Sequence, residues 1–309
     1  MRMLRLVPSN TAIPFMAWRR LALGISLALV ALSLLLVFVP GLNFGIDFKG
    51  GILIEVRMPT VPDLGQMRAQ LSTLGLGEVE LQEFGDADDI LIRIERQPGD
   101  AEAQDGAVKQ VRAALGGGVD YRRVEFVGPK VSAELVEAGT VAVLLAVVLM
   151  LLYIWFRFEW HFGVGAVVAL IHDVVVSLGL LAVSQLEFNL ATIAALLTIV
   201  GYSINDTVVV YDRVRENLRR YKTMPLVDLL SRSINDTLSR TTMTSLTTLL
   251  ALFALFLFGG EVIRGFVFVM IWGIIIGTYS SIFVAAPLLL TLGLERRRAS
   301  FGEAVEVSD

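Results

Sequence analysis

The chain has 309 residues, 55% of them hydrophobic and 18% charged, with a formal net charge of −4 and no cysteine. That apolar balance argues against a soluble protein and suits a membrane protein. The missing cysteine excludes disulfides, thiolate metal sites and thiol nucleophiles, and the small net charge selects no partner.

A helix needs about 20 apolar residues to cross a bilayer, and the sequence offers six such windows. A cytoplasmic N-terminal segment is predicted over 1–20 and a first span over 21–39. That apolar run is too long for a signal peptide, and PGLNFG follows it without a small-residue cleavage site, so it reads as an uncleaved anchor. GLNFGIDFKGG (41–51) comes next. Gly45, Gly50 and Gly51 permit positive φ and tight turns at the membrane surface. Asp47 and Lys49 are available for local bonds or a partner. The segment reads as a hinge, with a ligand site as the alternative.

An external domain is expected over 41–137. GILIEVRM alternates in polarity and is rich in β-formers, giving a strand at Ile52–Met58. Pro62–Leu74 has helical spacing. Val79–Phe84 and Ile90–Glu95 read as strands joined by a turn-rich linker, GDADD. Ala101–Leu115 is a second helix stopped by three glycines, and Tyr121–Val127 a last strand. The order β-α-β-β-α-β is the split βαβ of ferredoxin-like α+β domains. The helices cover one sheet face and leave the other free. Without a phosphate loop, an aromatic-studded strand or a metal-ligand cluster, no nucleic acid or metal is expected. The domain is a binding module or lever, or else a passive spacer.

The remaining spans are predicted over 138–156, 162–184, 190–212, 239–258 and 263–292, with a basic loop at 213–238 and a tail at 293–309. Arg2, Arg5, Arg19 and Arg20 precede the first span, Arg213 to Arg232 lie between the fourth and fifth, and Arg296 to Arg298 follow the sixth. The positive-inside rule then puts both termini and the basic loop in the cytoplasm. That loop lies where it can contact anionic lipid of the bilayer. The sixth span carries Gly273 and Gly277 as GxxxG, with Ser280, Ser281 and Ala285 beyond, a pattern that lets another helix approach closely. Pro287 is expected to kink or end that helix.

Charged and polar groups inside the spans carry the functional signal. An intramembrane carboxylate costs at least a few kcal/mol and usually marks a proton or ion path. The fourth span holds Ser203, Asn205 and Asp206, then Asp212 and Arg213 near its cytoplasmic end. In the fifth, Thr237, Arg240, Thr244 and Thr247 form a polar stripe at helical spacing. Burial favours a protonated carboxyl and a nearby cation favours the ionised one, so Asp206 and Arg240 form a candidate proton relay. A static ion pair between their helices is the alternative. The third span adds His172, a relay or a packing group, and Asp173. Adjacent residues point about 100° apart on a helix, so the two need not share a partner. No hydrolase motif is present. Two opposed aspartates, Asp173 and Asp206, keep intramembrane proteolysis as a remote alternative to a non-enzyme.

One large external loop after the first of six spans resembles half a resistance-nodulation-division transporter. GLNFGIDFKGG, ALIHDVVV, GYSINDTVVVYDRVREN and SINDTLSRTTMTSLTTLL resemble the SecD/SecF protein-export family over about residues 15 to 295. The resemblance implies an accessory subunit of the bacterial Sec translocase in the cytoplasmic (inner) membrane. It implies SecD, the SecYEG channel, YajC and unfolded preprotein as partners. It implies no cofactor, with protons as the coupling ion, and it assigns the proton path to Asp206 and Arg240. A proton-coupled exporter of small molecules or lipids in the same superfamily is the competing reading.

Overall fold

Six helices of the computed structural model are long and apolar enough to cross a membrane. The structure describes residues 11–99 and 101–293, so Arg2, Arg5, Arg296 to Arg298 and most of the tail lie outside the described residues. A 3-10 turn, Phe15–Trp18, leads into α1 (Arg19–Phe38). A single-turn helix, α2 (Ile46–Lys49), precedes the α+β domain of β1 (Gly51–Arg57), α3 (Leu64–Ser72), β2 (Val79–Phe84), β3 (Asp86–Ile94), α4 (Ala101–Leu115) and β4 (Asp120–Val127). The other long helices are α5 (Pro129–Arg157), α6 (Trp160–Ser184), α7 (Leu190–Arg220), α8 (Leu226–Phe258) and α9 (Glu261–Ser280), which a π-helical turn, Ser281–Ala285, extends into α10 (Ala286–Thr291).

The sheet has strand order β2-β3-β1-β4, every pair antiparallel, so β1 is internal. Ile52, Ile54, Val56, Ile90, Ile92 and Ile94 point to one face and are buried with Met67, Leu71 and Val111 of α3 and α4. Alternation along a strand sends the odd-numbered residues to the opposite face. That face is not free as expected: Leu53 and Leu91 are buried there against Ile46 of α2. Arg93 and Glu55 are also buried. The sheet therefore rests on the helix ends.

The acidic stretch expected as a linker is strand instead. Gly85 alone turns the chain, at φ 86°, and Asp86 to Asp89 begin β3. Aspartate is poor in strands; here arginines offset that. Arg57 donates from Nε to Asp89 Oδ1 at 2.7 Å and from Nη2 to Oδ2 at 2.6 Å, and Arg122 Nη1 adds a bond at 3.0 Å. The Arg57 hydrogen bond holds the Asp89 carboxyl below its ordinary pKa, against the opposing effect of burial. A depressed folded pKa contributes stability above the unfolded value, and that contribution is lost as pH falls through the folded value. Unfolding of the α+β domain in the full chain, followed against pH, is therefore expected to show an acid limb below about pH 4. Asp89→Asn is expected to flatten that limb; an unchanged limb would show that Asp89 is not linked to folding.

Helices α6, α7 and the α9 segment are the most buried of the six, whereas α1, α5 and α8 expose most of their apolar surface. Small residues set the close approaches. A Cβ on Gly179 would collide with Ser33 of α1, and one on Gly273 with Ile199 of α7. Two expected boundaries move. The second span belongs to a helix that starts at Pro129, with proline in the first turn, where its missing N–H is harmless. The basic loop at 213–238 is mostly helix, because α7 runs to Arg220 and α8 begins at Leu226. Arg213 Nε bonds Asp236 at 2.9 Å and Asn217 Nδ2 bonds Ser233 Oγ at 3.0 Å, which ties these extensions together. At the same end the chain leading into α1 docks on α8 through Ile13 with Asn235 and Met16 with Ser231.

Candidate functional site

The π turn shapes the buried polar site. Pro287 lacks the N–H that Phe283 would use four residues back, so regular helix cannot continue through it. The expected kink is instead a wider turn followed by more helix. Such turns cluster at functional sites. Tyr211 of α7 donates its hydroxyl to the Ala285 carbonyl at 2.9 Å. Gly165 of α6 makes room for that hydroxyl, since a Cβ there would overlap it.

Two successive serines at this turn address two carboxylates. Ser280 donates to Asp173 Oδ2 at 2.7 Å and Ser281 to Asp206 Oδ2 at 2.9 Å. Asp173 on α6 is fully buried. Its Oδ2 also accepts from Ser203 of α7 at 2.5 Å, and its Oδ1 lies 2.9 Å from Nδ1 of its neighbour His172. The two adjacent side chains do meet. Asp206, 7% exposed, accepts from Thr241 of α8 at 2.8 Å on its other oxygen. Each carboxylate thus keeps its own donors, and they do not share one cleft. Two buried polar atoms close by, His172 Nε2 and Ser177 Oγ, have no partner among the described residues. Groups left in this state cost about 1–3 kcal/mol each, and in native structures they need a functional or structural reason.

Arg240 is not where a static ion pair would put it. It makes no ion pair among the described residues and its side chain is exposed. The reason is helical phase: Thr241, one residue on and about 100° away, faces α7 and takes the Asp206 oxygen. Thr244, Thr247 and, on α7, Asn205 are exposed with Arg240, whereas Thr237 is buried. Asp212 and Arg213 lie in ion pairs away from Asp206. Asp212 pairs with Arg157 and, at 3.8 Å, with Arg215; Arg213 pairs with Glu216 at 2.7 Å and with Asp236.

The glycine-rich segment forms a second site at the other end of the bundle. Gly50 and Gly51 have φ of 72° and 120°. A Cβ on Gly51 would sit 2.6 Å from the Ile94 carbonyl, and one on Gly45 2.9 Å from Glu187 Oε1. Asp47 Oδ2 accepts the Leu190 N–H at 2.9 Å. Spacing reads none of this, because the contacts join residues far apart in the chain. Ser280 and Ser281 are not legible as ligands for a different reason: a small-residue pattern does not show which way its hydroxyls point.

Two family descriptions match the chain. "Protein export membrane protein SecD/SecF, C-terminal" covers residues 107–295, and "SecD/SecF GG Motif" covers residues 35–58. The chain belongs to the SecD/SecF family. It is 47% identical to protein translocase subunit SecF of Rickettsia rickettsii, over 93% of this chain and 94% of that one. With the Rhodobacter capsulatus subunit of the same name the identity is 49%, over 96% and 93%. The crystal structure of SecDF, a translocon-associated membrane protein from Thermus thermophilus, superposes with a TM-score of 0.83 at 37% identity. That match covers 94% of this chain and 40% of the other, so the chain spans about two-fifths of SecDF. A SecDF crystal structure in a super-membrane-facing form gives a TM-score of 0.65 at 36% identity, over 93% of this chain and 39% of the other. The SecD/SecF glycine motif thus coincides with the junction that holds Asp47, and the longer match contains every residue of the Asp173 and Asp206 sites.

Proposed function

We propose that this chain is an accessory subunit of the bacterial Sec protein translocase, acting with SecD to use the proton-motive force to promote preprotein translocation and release. One observation carries the reading: a carboxylate buried within the spans, Asp206, whose hydrogen bonds among the described residues come from hydroxyls, in a chain that aligns over 93% of its length with translocase subunits. Hydroxyls serve a carboxyl or a carboxylate equally, since each can donate or accept. A proton can therefore arrive and leave without dismantling the site. In this cycle Arg240 swings towards Asp206 in another conformation, and Asp173 with His172 extends the path. A proton crossing the full potential yields about 2.3 kcal/mol per 100 mV, which the α+β domain spends on motion outside the membrane.

The exposed polar face of Arg240, Thr244, Thr247 and Asn205 is costly in lipid and suits burial against the SecD half. SecYEG, YajC and the emerging chain are further partners under this reading. The location is the inner membrane, with both termini cytoplasmic. A small-molecule or lipid exporter is less favoured, since the described residues of the α+β domain fill its core with aliphatic side chains. Copurification in mild detergent tests the proposal: tagged full-length chain is expected to recover SecD and, more weakly, SecYEG. Recovery as a stable homo-oligomer without either would overturn it.

A further inference from the structure

Whatever Asp206 does within the bundle, a motor must deliver it to the α+β domain. Covalent continuity alone does not: the domain's two tethers lead to α1 and α5, not to α7. Several non-covalent contacts reach the α6–α7 region, including Gln82 Nε2 of β2 on the Gln185 carbonyl at 3.3 Å and the Gly45 N–H on the Phe188 carbonyl at 2.9 Å. Arg93 Nη2 pairs with Glu187 Oε1 at 2.8 Å. Phe44 and Phe48 pack on Phe188, and Phe44 bridges Phe188 through the backbone. All of these end on the connecting loop. Among the described residues, only Asp47 bonds the first residue of α7 itself from outside that helix.

The chemistry of that bond is specific. The first N–H groups of a helix have no partner within it, and the helix dipole favours a negative charge there. Asn189 caps α7, but of the helix's first N–H groups its side chain takes that of Thr192, at 3.0 Å. The Leu190 N–H is left, and Asp47, 143 residues earlier, takes it. The backbone carbonyl of Asp47 also accepts from Ser132 of α5 at 2.9 Å. Two residues beyond α2, Gly51 begins β1, an internal strand of the sheet. In the other direction α7 runs unbroken from Leu190 past Asp206, a rod of about 24 Å between the two.

We infer that Asp47 is a positioning residue that fastens α7 to the α+β domain, so that displacement of the Asp206 helix is handed to β1 through one carboxylate. The inference rests on the proposed proton role of Asp206 for its purpose, but not for its structure.

Asp47→Ala removes the acceptor, whereas Asp47→Asn keeps one. In the complete complex reconstituted in vesicles, Asp47→Ala is expected to speed hydrogen exchange of the Leu190 amide about fivefold. Because the chain has no cysteine, spin labels on Ala69→Cys of α3 and Val183→Cys of α6, both exposed sites, report the domain's position, and their distance distribution should broaden. Proton uptake should persist while proton-driven export falls. Asp47→Asn should restore wild-type exchange, distances and export. Unchanged exchange and distances in Asp47→Ala, equal defects in both variants, parallel loss of proton uptake and export, or failure of Asp47→Ala to assemble would each overturn the inference. If the wild type shows no Asp206-dependent proton uptake, the proposed function fails, while the exchange and distance results still decide the joint.

Discussion

Asp206→Asn is expected to abolish proton-driven export while the protein still folds and still assembles with its partner half. The substitution is nearly isosteric. The asparagine carbonyl accepts from Thr241 as the carboxylate oxygen does, and the Ser281 hydroxyl, a donor to Asp206 in the present structure, can accept from the new amide. No polar atom is left stranded, so stability should change little. Only the ability to take up and release a proton disappears. With it goes the coupling to a gradient that supplies about 2.3 kcal/mol per 100 mV for each proton. Reconstituted vesicles with the full translocase, assayed with and without an imposed gradient, separate the two components of export. The gradient-stimulated part should fall to background and the remainder persist. Normal gradient stimulation in the variant would end the proton-relay reading.

Asp173→Ala should act quite differently, through folding. Three side chains converge on that carboxylate, from α6, α7 and the last residue of α9. Removing it strands the Ser203 hydroxyl and an imidazole nitrogen in a dry site, while Ser280 keeps the Gly277 carbonyl. Each unsatisfied buried group costs about 1–3 kcal/mol. A total loss of about 3 kcal/mol is expected, roughly a hundredfold in the folded-to-unfolded ratio. Asp173→Asn, which keeps an acceptor for one serine, should lose much less. Thermal unfolding in detergent distinguishes them. Equal, small losses in both would show that the serines find other partners and that the cluster contributes little to holding the helices.

Much of this organisation is legible in the sequence, and the exceptions have physical causes. Apolar runs such as Leu21–Val39 declare themselves by length, and the alternation of GILIEVRM gives β1 with its inward face. Asp206 stands out because a carboxylate in LLTIVGYSINDTVVV is expensive. Asp86 to Asp89 mislead, because aspartates beside glycine usually turn a chain, and only the distant Arg57 and Arg122 make strand acceptable there. The extents of α7 and α8 mislead for a related reason. Hydropathy falls where Arg213 to Arg220 begin, but helix continues wherever a second helix can pair with those charges. The side-chain direction of Arg240 could not be read either. Composition puts it on a polar stripe with Thr237 and Thr244, yet one residue of helical phase decides that Thr241, not Arg240, meets Asp206.

The π turn has a consequence for how α7 and the α9–α10 rod lie along one another. They run in the same direction, and their contacts climb in steps of four on the second rod: Gly273 at Ile199, Gly277 at Ser203, Ser281 at Asp206, Ala285 at Tyr211. In a regular α-helix a four-residue step overshoots a full turn by about 40°. Three such steps would carry the line of contact through about 120°, off the neighbouring helix altogether. The wider turn at Ser281–Ala285 absorbs part of that overshoot, as a leap day returns a calendar to its season. The two rods stay in phase from the carboxylates to Tyr211 and Ala285 because one of them is locally unwound.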